Sequence, residues 1–131
     1  MKKLLILLTA IIVSSCMPQF VMFPVSNRTN LSKLSFDMSK QDVARIMGTQ
    51  TVRDPSGYVS NPYKVETAKA PEGGNLEILF YYTETKKHDD VITDDELTPL
   101  VFKDNKLVGW GWSYMNGNTQ KVQVDIRSIV N

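Results

Sequence analysis

The punctuation between Ser39 and Gly48 constrains this chain more than any other feature, because it defines one helix and marks where helical periodicity ends. In Ser39-Lys40-Gln41-Asp42 a serine stands three residues before an acid. Its hydroxyl suits an orphan amide of the first turn, and the Asp42 carboxylate suits the positive end of the helix dipole. This is a capping box with Asp in place of Glu or Gln. Val43, Ile46 and Met47 then recur at i, i+3, i+4, and Gly48 supplies a left-handed stop. The pattern predicts an amphipathic helix over Lys40–Met47. Upstream, Leu31 and Leu34 stand three apart and predict one or two helical turns over Arg28–Leu34.

Beyond Gly48 the period changes to two. Thr49–Asn61 contains Asp54-Pro55 and Ser56-Gly57 and reads mostly as loop. Tyr63–Ala68 and Leu76–Thr83 flank the turn Pro71-Glu72-Gly73-Gly74-Asn75 and predict a β-hairpin. In its second strand Leu76, Ile78, Phe80 and Tyr82 share one face and Leu79 and Tyr81 the other, the signature of a central strand covered on both sides. Thr98-Pro99 leads into a strand at Leu100–Phe102, Asp104-Asn105-Lys106 is a tight turn, and Leu107–Tyr114 reads as another strand. Val122–Val130 fits either period, and its β-branched content favours a strand. The expected class is α+β: two short N-terminal helices on an antiparallel sheet of three to four strands, a two-layer sandwich.

At 131 residues the chain is one ordinary domain, so a two-domain enzyme is excluded. A formal net charge of +1 argues against a nucleic-acid partner. One cysteine, Cys16, excludes an internal disulfide framework and zinc sites built on cysteine pairs. One histidine, His88, excludes multi-histidine metal centres.

Lys2 and Lys3 precede Leu4–Val13, an uncharged and almost wholly apolar run. A basic start, such a run and small residues after it make a secretory signal over residues 1–15. As a helix the run spans about 15 Å, half of a bilayer's hydrocarbon core, so it is not a permanent span. Its end, Val13-Ser14-Ser15-Cys16, resembles the lipobox of bacterial lipoproteins. That resemblance implies cleavage before Cys16 and a covalent lipid on its thiol, the only prosthetic group expected. Without Lys2 and Lys3 the 15 basic residues fall to 13 against 14 acidic ones, a formal charge of −1, so lipid rather than a polybasic patch must supply the anchor. Met17 stands where retained lipoproteins of Gram-negative bacteria carry aspartate, which implies the periplasmic face of the outer membrane. Residues 16–26 then read as lipidated cysteine and tether. Met17–Val25 has two prolines and no charge. Either it lies as a tether near the lipid, or Phe20, Val21 and Phe23 pack on the domain or a partner. Residues 27–131 form the single α+β domain.

The segment Asp37-Met38-Ser39-Lys40, Val43, Ile46-Met47-Gly48-Thr49 resembles the signature of the small-protein-A/outer-membrane-lipoprotein-A family, which includes the E subunit of the β-barrel assembly machinery. Asp37 stands at that signature's first glycine and Gln50 at its proline. The resemblance spans roughly Asn27 to Tyr114. It implies two helices on a three-stranded antiparallel sheet, as also in β-lactamase-inhibitor-like domains, and a protein partner in the envelope.

Within Gly109-Trp110-Gly111-Trp112-Ser113-Tyr114, period two places Trp110, Trp112 and Tyr114 on one strand face. They form either core beneath the helices or an aromatic platform for a partner or glycan. Asp89, Asp90, Asp94, Asp95 and Glu96 put five carboxylates within eight residues, beside Lys86, Lys87 and His88. The run lacks the alternating ligands and central glycine of a calcium loop and reads as a solvated loop, with His88 on the surface. Asn27-Arg28-Thr29 and Asn30-Leu31-Ser32 match the glycosylation sequon, which is idle in a bacterial lipoprotein. No spacing marks a catalytic triad or a metal site, and the chain does not read as an enzyme. Two functions fit: a lipid-anchored scaffold or accessory in outer-membrane assembly or envelope integrity, and an inhibitor-type or small-ligand-binding module of the same fold. Cys16→Ser is expected to shift the protein from the membrane to the soluble fraction on ultracentrifugation, and a variant that stays with the membrane overturns the anchor.

Overall fold

The computed structural model describes residues 18–55 and 57–119, so the leader expected at residues 1–15, Cys16, Met17 and the strand expected at Val122–Val130 lie outside the described residues. In chain order the elements are α1 (Gln19–Leu31), α2 (Lys40–Met47), β1 (Thr51–Asp54), β2 (Gly57–Ser60), β3 (Lys64–Lys69), β4 (Asn75–Tyr82), β5 (Leu97–Lys103), β6 (Lys106–Trp110) and α3 (Trp112–Asn118). A 3-10 turn at Asp94–Glu96 precedes β5. Four strands make an antiparallel sheet ordered β3-β4-β5-β6, while β1 and β2 pair as a separate hairpin. The protein is α+β, with helices packed on an antiparallel sheet.

Local chemistry accounts for α2 as expected. The Asp42 amide donates to Ser39 Oγ at 3.1 Å, and the Ser39 hydroxyl donates in turn to Asp42 Oδ2 at 2.7 Å. Gly48 ends the helix at φ 81° and ψ 166°, an extended left-handed conformation that only glycine adopts without strain. The β5–β6 turn is a two-residue loop in which Asp104 and Asn105 both take positive φ, 49° and 63°. That pair of conformations matches the twist of the flanking strands.

β4 is central, between β3 and β5. Its residues Leu76, Ile78, Phe80 and Tyr82 join a core with Val101 of β5, Val52 and Val59 of the hairpin and Phe23 of α1. On the other face Leu79 and Tyr81 pack with Leu100, Phe102 and Leu107 under Val43 and Met47 of α2.

Three expectations need correction. Residues 19–25 are the first half of α1 and not an extended tether, and Phe20 and Phe23 pack on the domain, the other alternative open for this stretch. Pro24 inside a helix costs about 3 kcal/mol. Burying Phe23 and half-burying Phe20 against the sheet offsets this, at about 1.5–3 kcal/mol for each fully buried side chain. The loop expected at Thr49–Asn61 holds the β1–β2 hairpin, whose inward residues Val52 and Val59 pair directly and close over Phe23. The strand expected at Leu107–Tyr114 ends at Trp110, because Gly111 turns the backbone to φ 89° and starts α3.

Among the described residues α1 is the only helix that reaches both cores: Phe20 and Phe23 enter one, Leu31 packs on the other. Between them Asn27 is fully buried. Its Nδ2 donates to Asn61 Oδ1 at 2.9 Å and to the Tyr82 carbonyl at 2.7 Å. Asn61 Nδ2 donates back to Asn27 Oδ1 at 2.7 Å and to the Met47 carbonyl at 2.9 Å. The next residue, Arg28, donates Nε and Nη2 to the Thr83 carbonyl at 3.1 and 2.8 Å. The sequon asparagine is thus an interior clamp. Each buried group left without its partner costs about 1–3 kcal/mol, so Asn27→Ala is expected to lower stability by about 3 kcal/mol in urea denaturation. Asn27→Leu combined with Asn61→Leu is expected to cost less than the sum of the single changes.

Candidate functional site

A two-lobed concavity lies where α1 begins, between the β1–β2 hairpin and the loop that follows β4. It has two lobes of about 220 and 230 Å³ that share Asp54, Asp90, Val91 and Ile92. One lobe is built on Phe20 stacked against Tyr82, with centroids 6.0 Å apart and planes at 20°. The other is walled by Tyr58, Val59 and Tyr63. The rim is open to solvent and mixes exposed apolar side chains, Tyr58 at 76% and Val91 at 59%, with Lys87, His88 and Asp90. Burial raises the Tyr82 hydroxyl above its ordinary pKa, outweighing the opposing effect of its hydrogen bond with Thr85 Oγ1 at 2.6 Å, which fixes it in the wall. Small-molecule sites commonly occupy about 300–1,000 Å³. Each lobe falls short of that and suits one or two side chains of an extended segment.

The acidic run beside the groove divides into one structural carboxylate and four surface ones. Glu96 is 2% exposed, whereas Asp89, Asp90, Asp94 and Asp95 are exposed. Glu96 Oε1 accepts the Lys86 and Lys87 amides at 2.6 and 3.2 Å, and Oε2 accepts the Thr93 amide at 3.0 Å. Its own carbonyl accepts the Thr83 and Glu84 amides at 3.1 and 3.2 Å. Burial pushes its carboxyl up, but the amides of Thr93, Lys86 and Lys87 outweigh this and hold it below the usual carboxylate range. Glu96 therefore shapes the whole loop that walls the groove. Its spacing from Thr93, a capping box, is the signal that separates it from its neighbours. His88 is exposed on the groove's edge. Among the described residues no group of three or more His, Cys, Asp or Glu is placed to hold a metal ion.

The segment containing Trp110, Trp112 and Tyr114 does not make one aromatic face. Trp110 closes the core under α2, tilted against exposed Phe36 at 5.3 Å. Trp112 packs on the opposite core against Phe80 at 5.7 Å, and its Nε1 donates to the Leu97 carbonyl at 2.8 Å. The Gly111 amide donates to the Pro99 carbonyl at 2.8 Å. Together these bonds cap the edge of β5 beyond the end of β6. They also explain how Pro99 sits inside an interior strand: its missing amide faces the side that β6 has vacated. Tyr114 lies over Gly109, where a Cβ would come within 2.5 Å of its ring. The sequence reading missed the groove, whose one legible trace is an apolar first turn of α1 ahead of any charge.

A sequence profile described as "Protein of unknown function (DUF3192)" matches residues 23–116, that is 94 of the 131 residues. No curated protein and no solved structure matches the chain. Among the described residues no helix is long and apolar enough to cross a membrane.

A carboxyl held below its free value stabilises the fold above that value, about pH 4.3, and the stabilisation disappears as acid protonates it through its lowered value. Glu96→Gln places a donor against the Thr93 amide. The variant is therefore expected to show a lower urea midpoint than wild type at pH 7, with the difference narrowing below about pH 4. A difference that stays constant from pH 7 to pH 3 would exclude Glu96 as the ionised acceptor.

Proposed function

The chain belongs to the DUF3192 family of proteins of unknown function, and from that premise we propose that it is a lipid-anchored, protein-binding accessory of the cell envelope. Cys16 carries the lipid, and the domain sits on the periplasmic face of the outer membrane. The groove between the hairpin and the Glu96-shaped loop takes an apolar segment of a partner protein, and binding rather than turnover is the activity. The observation that carries this reading is the cluster of exposed apolar side chains, Tyr58 and Val91 with Val21 and Tyr63, set around a two-lobed concavity. Large exposed apolar side chains grouped around a hollow mark interaction sites, and aromatic anchors supply most of the energy in such contacts. The lipobox and the resemblance of residues 37–49 to the small-protein-A/outer-membrane-lipoprotein-A signature support the location and an assembly or envelope-integrity role.

A photo-crosslinker at position 58 or 91 of the lipidated protein is expected to trap a specific envelope protein in the producing cell. Tyr58→Ala with Val91→Ala is expected to cut co-purification of that protein at least tenfold while changing stability by under about 0.5 kcal/mol, since both side chains are exposed. Capture of β-barrel assembly subunits supports the assembly role, whereas capture of a soluble periplasmic enzyme favours the inhibitor-type alternative. Co-purification unchanged by the double variant overturns the groove as the binding site.

A further inference from the structure

α1 carries a second apolar surface that points away from the protein. Its inward residues are Phe20, Phe23, Pro24, Asn27 and Leu31, so at about 100° per residue the outward ridge runs Pro18, Met22, Val25, Thr29. Met22 is 40% exposed and Val25 47%. Polarity is graded along this ridge. It is apolar through Val25, beside Cys16 in sequence, and polar from Thr29 to Lys33. A surface helix ordinarily shows its polar side to solvent, whereas the outward ridge of the first half of α1 presents Met22 and Val25. No charged residue occurs between Lys3 and Arg28, and no carboxylate between Cys16 and Asp37, so nothing on this face repels an anionic lipid surface.

We infer that the ridge Pro18-Met22-Val25 lies in the membrane interface, so that the domain rests on the first two turns of α1 instead of swinging freely from its anchor. The inference rests on the lipid-anchor reading at Cys16. Only Met17 stands between Cys16 and Pro18, and two extended steps of the chain reach at most about 7 Å, so an acylated Cys16 holds the start of α1 at headgroup depth. An interfacial helix buries its apolar side about 5–10 Å into the headgroup boundary, which matches a ridge one side chain deep. Val21, on the flank of the ridge, also lines the groove. The groove therefore opens along the membrane surface, and its occupant approaches parallel to the bilayer.

The test uses the full lipidated protein in vesicles of phosphatidylethanolamine and phosphatidylglycerol. A thioether at Cys16 leaves a newly introduced cysteine as the single reactive thiol. An environment-sensitive fluorophore is placed at Met22→Cys, Val25→Cys, Thr29→Cys or Lys33→Cys, all at outward positions. Labels at 22 and 25 are expected to emit further to the blue than the label at 33. They are also expected to be quenched at least threefold more strongly by lipids bearing a nitroxide near the headgroup, with the label at 29 intermediate. Protein that floats with the vesicles but shows equal quenching at 22, 25 and 33 overturns this inference alone. So do labels at 22 and 25 that are shielded from both lipid quencher and aqueous iodide, which would mean a second copy covers the ridge. Protein that does not float overturns the anchor reading, and this inference falls with it.

Discussion

The fold depends on the reciprocal carboxamide pair of Asn27 and Asn61. Each side chain uses both its donor and its acceptor on the other, then spends its remaining N–H on a backbone carbonyl, Tyr82 for Asn27 and Met47 for Asn61. Four pieces of backbone meet there: the middle of α1, the end of α2, the exit of the β1–β2 hairpin and the last residue of β4. None is adjacent to another in sequence, and none could be displaced without leaving an amide unpaired in the interior. Among the described residues no buried side-chain nitrogen or oxygen lacks a partner. Because a half-satisfied polar cluster is costlier than an apolar one, this pair specifies a single arrangement of α1 as much as it stabilises it.

The sheet is finished by side chains and loops rather than by more strands. Along β6, the Asp37 amide donates to the Leu107 carbonyl at 2.9 Å, and the Leu107 amide to the Met38 carbonyl at 2.8 Å. Asp37 manages this with φ at 65°, a conformation that aspartate tolerates better than most residues. The far edge, β3, carries Lys64, Glu66 and Lys69, and charge on an edge strand discourages pairing with another chain. Where β5 outruns β6, Gly111 and Trp112 supply the missing donors.

Those devices show what sequence discloses and what it hides. The helix from Ser39 to Gly48, the β3–β4 hairpin, the central position of β4 and the Asp104-Asn105 turn are legible because each is encoded by residues within a few positions of one another. α1 is not, since Pro18 and Pro24 disfavour it locally and only distant residues of β4 and the hairpin reward it. Trp112 defeats a periodicity argument for a related reason: one glycine reverses the backbone between it and Trp110, so alternation no longer reports which face either occupies. Glu96 is half legible. Its capping partner Thr93 is local, but the amides of Lys86 and Lys87 reach it only because the loop folds back. The groove has no local signature, being the gap left between three segments far apart in the chain.

α1 is at once the first described element after Cys16 and the one helix that touches both halves of the interior. In a chain tethered at Cys16, tension from the envelope would arrive first at the helix that seats Phe23 in one core, with Asn27 and Arg28 as its rivets. Attachment and structural integrity then share one mechanical path, and detaching the anchor by force would mean unfolding the domain.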